Sequence, residues 1–294
     1  MTSFSSHEIE PWWDELGMRE PKRPDGTPRL LFKYLSAERI DVLRNNELRF
    51  TQPICFNDSF DGRPFFRNLP CEPQNVIHSA MVFERGLGPF SFSSYLETCV
   101  QVNSELSPRL RGDDLRQYLL DNVCSFVGVL SLSESPTNPL MWAHYSESHR
   151  GFVVGFDTDD SFFRCGDPAS LPDEGAFYPV KYARERPRRR SFEDVTPADA
   201  FFTKSWHWAY EQEWRRYRLI NDADRTIAKE IALFRFSRSA VRVVIIGMDM
   251  IDKDVQKMQN TLLIPLDYRN TVKAFRCSMD TRFYRLHLKK LNWL

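Results

Sequence analysis

Apolar positions along the chain fall into short runs rather than long helical stripes, and the runs predict short strands with a few helices between them. Residues 29–34 (RLLFKY) read as a strand. Ser36 is a helix N-cap for the stretch AERIDVLRNN, which places Ile40 and Leu43 at helical spacing and stops at Asn45-Asn46. Residues 48–51 predict a second strand, and 53–64 (PICFNDSFDGRP) a polar, turn-rich loop. Residues 75–123 read as irregular helix, broken at Pro108 and Gly112. The near-continuous apolar runs 124–133 (CSFVGVLSLS) and 151–157 (GFVVGFD) predict strands covered on both faces. A turn at 134–139 and a short helix at 140–146 (LMWAHYS) lie between them. Residues 178–182 (YPVKY) suit an edge strand, because Pro179 cannot donate to a ladder. A helix begins over 197–204, 213–219 (EWRRYRL) alternates as a strand, and 231–236 and 240–246 are strands. Residues 250–262 predict a helix and 273–288 a terminal hairpin or strand pair.

Short strands joined without long helices favour an α+β fold, with mixed sheets and flanking helices, over a doubly wound sheet. No glycine-rich dinucleotide turn and no phosphate loop with its Lys-Ser or Lys-Thr follows a strand. Residues 1–28, punctuated by Pro21, Pro24, Gly26 and Pro28, read as a peripheral arm pinned by Trp12 and Trp13, and 29–294 as a single α+β domain.

Composition sharpens this picture in three places. Aromatic residues make up 14% of the chain and Phe alone contributes 23, so ring packing should dominate the core. Lys and Arg number 40 against 40 Asp and Glu, which removes the basic field expected of a general nucleic-acid binder. The local run 184–190 (RERPRRR) reads as a solvated loop or as a contact for phosphate groups or an RNA backbone. The six cysteines, at 55, 71, 99, 124, 165 and 277, show no metal or disulfide spacing and read as reduced, mostly buried thiols. The first residues lack a signal-peptide pattern, and no run approaches the ~20 apolar residues of a membrane span. The expectation is a cytoplasmic protein without a membrane partner.

Four segments carry candidate chemistry. In 206–215 (WHWAYEQEWR), an extended backbone would put Glu211 and Glu213 on one face. Two carboxylates framed by rings are costly unless solvated, paired or used, and repulsion with burial should raise at least one pKa. They suit general-base work or sugar hydroxyls; alternatively they pair with Arg215, Arg216 or Lys204 on a surface strand. In 56–63 (FNDSFDGR), Asn57, Asp58 and Asp61 build a turn or border a pocket and touch substrate. In 141–145 (MWAHY), His144 and Tyr145 form an acid/base pair or a satisfied, half-buried pair; His144 and His149 have the spacing of metal ligands but lack an evident third. Lys33, beside Tyr34 at the end of the first strand, suits a phosphate or a carboxylate, or is an ordinary surface lysine.

These four segments in this order resemble a bacterial family known as domain of unknown function 2971. The matching pieces are 31–34 (LFKY), 56–61 (FNDSFD), 140–145 (LMWAHY) with Gly151-Phe152, and 208–215 (WAYEQEWR), over roughly residues 29 to 247. Ser59 stands where the family usually carries proline. The layout also resembles that of ADP-ribosyltransferases, in which an early strand carries a His or Arg for the dinucleotide and a late strand a Glu/Gln-x-Glu element. Glu211-Gln212-Glu213 matches the late element; Lys33 or Tyr34 stands in place of the early one. That resemblance implies NAD as substrate, consumed by an ADP-ribosyltransferase or NAD glycohydrolase. It implies Glu213 beneath the ribose and Glu211 orienting or deprotonating the acceptor. Tyr34, Trp142 and Tyr145 would stack on nicotinamide or adenine, with Lys33, Asn57, Asp58, Asp61 and His144 around the cofactor. The acceptor would be a protein, a nucleic acid or water, in a toxin or anti-phage setting. The alternatives are a non-enzymatic sensor of a defence system and a nuclease whose Mg²⁺ is held by Asp58, Asp61, Glu211 and Glu213.

Overall fold

The computed structural model describes residues 12–62, 65–66, 125–170, 172, 175–189, 197–227 and 231–293. The expected irregular helix at 75–123 lies outside them, as do the first eleven residues of the arm, Arg190, Cys71, Cys99 and Cys124. The strands are β1 (Leu30–Leu35), β2 (Glu47–Phe50), β3 (Phe65–Phe66), β4 (Val127–Ser133), β5 (Phe152–Asp157), β6 (Tyr178–Pro179), β7 (Lys181–Ala183), β8 (Arg188–Arg189), β9 (Thr203–Ser205), β10 (Glu213–Leu219), β11 (Arg225–Ile227), β12 (Ile231–Arg235), β13 (Val241–Ile246), β14 (Lys273–Met279) and β15 (Leu286–Lys290). The helices are α1 (Trp12–Glu15), α2 (Asp41–Asn45), α3 (Pro139–Tyr145), α4 (Pro197–Phe201), α5 (Asp252–Leu263) and α6 (Leu266–Thr271). The fold is therefore mixed α+β, with most elements within a few residues of their expected bounds. Two expectations change. The stretch after α4 is strand β9 rather than continued helix, and 178–182 divides into β6 and β7, which pair in different sheets.

By contact density the chain divides into two compact units. The first takes the described residues up to Glu47, Leu132–Cys165 and those from Phe236 on. Its strands run in the order β15-β14-β13-β5-β1, and Phe32 of β1 pairs with Ser133. β5 is central, antiparallel to both β1 and β13, and its Phe152, Val153, Val154 and Phe156 are fully buried. That is the environment the unbroken apolar run required. β14 joins β13 in parallel and closes with β15 as the expected antiparallel hairpin. Phe156 stacks on Phe163 at 4.1 Å between ring centres, and Phe236 meets both rings edge-on. Asn46 ends α2 in the left-handed conformation at φ 55°, and its side-chain oxygen accepts from Tyr268. Trp12 packs edge-on against Phe32, with ring centres 5.3 Å apart.

The second unit takes the described residues within Leu48–Ser131 and Gly166–Arg235. Here β4, β10 and β6 lie side by side, β11-β12-β2 form a three-stranded sheet, and β7 pairs in parallel with β9. Its core rings include Phe50, Phe177, Phe201 and Phe234. Phenylalanine dominates the fully buried side chains of both units, as the composition predicted. Of the described thiols, only Cys277 is buried; Cys165 is half-buried and Cys55 exposed. The expectation of mostly buried cysteines thus holds for Cys277, and burial pushes the Cys165 thiol up to about 12. Among the described residues no helix is long and apolar enough to cross a membrane.

Candidate functional site

The second unit encloses a group of five charged side chains. Asp61, Lys204, Glu211, Glu213 and Arg215 are each at most 6% exposed. Three short elements deliver them. In the loop after β2, the side chain of Asp58 accepts from the Phe60 N–H, and Gly62 takes φ 73°; the turn between them sends Asp61 inward. Lys204 is the middle residue of β9. Residues Trp206–Glu211 form a 3-10 turn, Gln212 adopts the left-handed conformation at φ 45°, and β10 starts at Glu213.

The last point corrects the sequence reading. Glu211 does not share a strand face with Glu213 by the period of two; it ends a helical turn. The two carboxylates nevertheless converge, because left-handed Gln212 reverses the backbone between them. They meet at Lys204, whose Nζ donates to Glu211 Oε2 at 2.5 Å and Glu213 Oε2 at 3.3 Å, with Asp61 Oδ2 at 3.7 Å. The alternative of pairing on a surface strand is corrected too: the partners named there are right for Lys204 and Arg215, but the site is interior.

Arg215 uses all five of its N–H donors. Nη1 and Nη2 grip Asp61 at 2.7 and 2.5 Å, Nε and Nη2 hold Glu213 at 2.8 and 2.9 Å, and Nη1 also reaches the Phe201 carbonyl at 2.8 Å. This planar fork is a geometry only arginine supplies. Its guanidinium lies 5.0 Å from the Phe56 ring centre, and the Lys204 ammonium 4.9 Å from that of Trp208. The Glu213 N–H donates to the Tyr182 hydroxyl at 2.8 Å.

Electrostatics follow from this packing. Burial opposes ionisation of Glu213, but Arg215 and Lys204 outweigh it and hold the carboxyl well below the usual glutamate range. Repulsion with burial is expected from the sequence to raise at least one of the two glutamate pKa values; for Glu213 the two cations outweigh burial and the value is lowered. Burial likewise disfavours the Lys204 ammonium, yet Glu213, Glu211 and Asp61 leave its pKa raised. Burial, with Glu213 nearby, pushes the Tyr182 phenol up. Among these five side chains, three carboxylates face two cations. The arrangement can hold ionised carboxylates around a positive centre. Among the described residues no three His, Cys, Asp or Glu side chains are grouped to bind a metal ion.

The remaining candidates divide between the units. Asn57 is exposed in the 56–62 loop, and Asp58 builds its turn, so that segment is both a turn and a source of a buried carboxylate. Lys33, Tyr34, Trp142, His144 and Tyr145 belong to the first unit. Tyr34 is buried, donates to the Ser135 carbonyl at 2.7 Å and meets Trp142 edge-on at 5.6 Å. Trp142 is fully buried, donates Nε1–H to the Pro136 carbonyl, and lies parallel to the His149 ring. Tyr34 and Trp142 are core packing as placed, rather than open stacking platforms, and Tyr145 is half-buried. His144 and Lys33 are exposed and part-exposed respectively, and His144 contacts Tyr145 edge-on. In the basic run, Arg188 pairs with Glu185, and Arg184 lies over Trp206.

Sequence reasoning missed the turn Asp280–Arg285 between β14 and β15. Its string DTRFYR sets acid, arginine and ring side by side in a hairpin tip, a pattern that could have marked it.

Comparison with known proteins agrees with the motif reading over part of the chain. Residues 141–216 match the model of the family described as Protein of unknown function (DUF2971), the family that the motifs resemble. The segment contains Lys204, Glu211, Glu213 and Arg215, whereas Asp61 lies before it. No curated protein and no solved structure matches the chain.

Proposed function

We propose that the chain cleaves the nicotinamide–ribose bond of NAD, as an ADP-ribosyltransferase or NAD glycohydrolase. The supporting observation is the convergence of Glu211 and Glu213 on one ammonium, that of Lys204. Two carboxylates already arranged around a positive charge are suited to an oxocarbenium-like ribose, the state through which this bond breaks. The C1′–N bond breaks with its electron pair leaving on nicotinamide. Glu213, held ionised, stabilises the cationic sugar. Glu211 takes the proton of the acceptor oxygen as that oxygen bonds to C1′. Lys204 is the resting counter-ion and withdraws when the sugar enters, with opening of the turn Trp206–Glu211. The acceptor is water, a protein or a nucleic acid, and a toxin or anti-phage effector is the setting this activity suits.

A second reading has its own support. Arg215 spends every donor on Asp61, Glu213 and a backbone carbonyl, as a structural clamp does. The chain is then a non-enzymatic binding module. Incubation with NAD followed by mass spectrometry of small molecules, protein and nucleic acid separates the two. The enzymatic reading expects free nicotinamide from the native chain and none from Glu211→Gln or Glu213→Gln variants that remain folded. Unchanged NAD in the native reaction leaves the binding-module reading, and turnover that survives both substitutions overturns the roles given to Glu211 and Glu213.

A further inference from the structure

A cleft of about 420 Å³ lies wholly within the first unit, away in sequence from the acidic pair. Its walls include His149, Met248, Thr281, Arg282, Tyr284 and Arg285. We infer that this cleft binds a small anionic ligand carrying a flat ring, of the nucleoside monophosphate class. The inference does not rest on NAD cleavage.

The volume falls within the range of small-molecule sites. The charge favours an anion. Arg282 and Arg285 stand on one hairpin tip, and the one carboxylate in the wall, Asp280, is already used. It accepts from the backbone N–H groups of Arg282 and Phe283 at 2.7 and 3.0 Å, from Arg285 Nε at 2.5 Å, and lies 2.7 Å from His287 Nε2. Those bonds also fix the tip, so little ordering remains for a ligand to impose. Arg285 points its Nε at Asp280, and its two terminal amines remain for a phosphate, which guanidinium groups hold in a forked geometry.

The rings favour a flat partner. Tyr284 stands fully exposed, and Phe283 and Met279 are 44% and 69% exposed. Three large apolar side chains beside two arginines, around a concavity, mark a recognition surface rather than ordinary scatter. Met248 and Met279 supply adaptable apolar wall.

His149 brings strained backbone to the cleft lining. Glu147, Ser148 and His149 have φ of 51°, 52° and 67°, three successive non-glycine residues in the left-handed region. The strain is held by backbone bonds: Gly151 N–H to Ser146, and Asp249 N–H to the His149 carbonyl. It sets the His149 ring parallel to Trp142 at the cleft wall, with a buried Nδ1 that has no hydrogen-bond partner. A conformation this costly, with an unpaired buried nitrogen, is a feature expected at a binding site.

Isothermal titration of the full chain with AMP, adenosine and inorganic phosphate tests the inference. One AMP binds per chain, and adenosine and phosphate each bind about tenfold more weakly or less. Arg282→Ala and Tyr284→Ala, both at exposed positions, weaken AMP about fivefold or more without changing the melting temperature. Glu213→Gln leaves AMP binding unchanged, which separates this site from the acidic pair. The inference is overturned if AMP gives no heat at millimolar concentration, if both exposed variants bind it as the native chain does, or if phosphate alone binds as tightly as AMP.

Discussion

Arg215 grips both carboxylate oxygens of Asp61, at 2.7 and 2.5 Å, across 154 positions of sequence. The pair ties the loop after β2 to the first residues of β10, and both members are buried. Nothing in the local sequence of either residue requires the other.

Breaking that pair should be expensive. Asp61→Asn leaves Arg215 with Glu213 as its one carboxylate partner, and Arg215→Met leaves three buried carboxylates facing only Lys204. Each change is expected to cost about 3–5 kcal/mol, because an unpaired charge remains in the interior. Arg215→Lys should recover little of the loss, since an ammonium cannot hold Asp61, Glu213 and the Phe201 carbonyl together. Urea unfolding of the variants measures this; a loss below about 1 kcal/mol for Asp61→Asn would contradict the buried-pair account.

Glu213 predicts a particular acid sensitivity. Its folded-state pKa lies below the ordinary glutamate value of 4.5. The stability it contributes is fully present above pH 4.5 and is lost as pH falls from there toward the folded value. Glu213→Gln should flatten that part of the stability profile. Unfolding midpoints between pH 7 and 3 give the comparison, and parallel profiles for the two chains would count against it.

His287 has the opposite sign. Its Nδ1 lies 2.8 Å from Glu15 and its Nε2 2.7 Å from Asp280, so both ring nitrogens face carboxylates and the imidazolium is favoured. Bonds to Glu15 and then Asp280 raise its pKa above 6.5. The contribution is fully present below pH 6.5 and is lost as pH rises through the folded value. Hydrogen exchange at α1 should quicken as pH climbs above neutrality, beyond the intrinsic rate increase. In His287→Gln that extra acceleration should vanish; its persistence would rule the clasp out.

Two glycines are fixed by close approach. A Cβ on Gly247 would stand 1.9 Å from the His149 carbonyl oxygen, and one on Gly151 2.0 Å from that of Leu35. Both obstacles are backbone and cannot rotate aside. Gly247→Ala and Gly151→Ala are expected to lose about 3 kcal/mol or more, or to fail to fold. Melting temperatures within a few degrees of the native chain for either variant would refute the geometry.

The hydrophobic pattern was enough to place β1, β5, β10, β12 and β13 and the terminal hairpin, since strand burial is written directly into runs of Val, Ile, Leu and Phe. Glu211 and Glu213 stood out as residues to watch because carboxylates set among rings demand partners, and Asp61 because its turn-rich loop could border a pocket. The sequence reading misjudged the backbone between the two glutamates. Trp206–Glu211 is a 3-10 turn closed by left-handed Gln212, and glutamine carries no signature of that conformation.

What the sequence determined by itself, then, is local: where strands begin and end, and which polar groups are too costly to bury alone. The tertiary structure decided which partners they received. Arg215 could have bonded several carboxylates, and only the folded chain brings Asp61 to it from 154 positions away. Glu213 consequently stays ionised instead of gaining a proton. The same holds for the tip Asp280–Arg285, which shares its cleft with Pro139, His149 and Met248 from distant parts of the chain. Long-range pairing depends on chain entropy and packing summed over the whole fold, and no window of a few residues contains that sum.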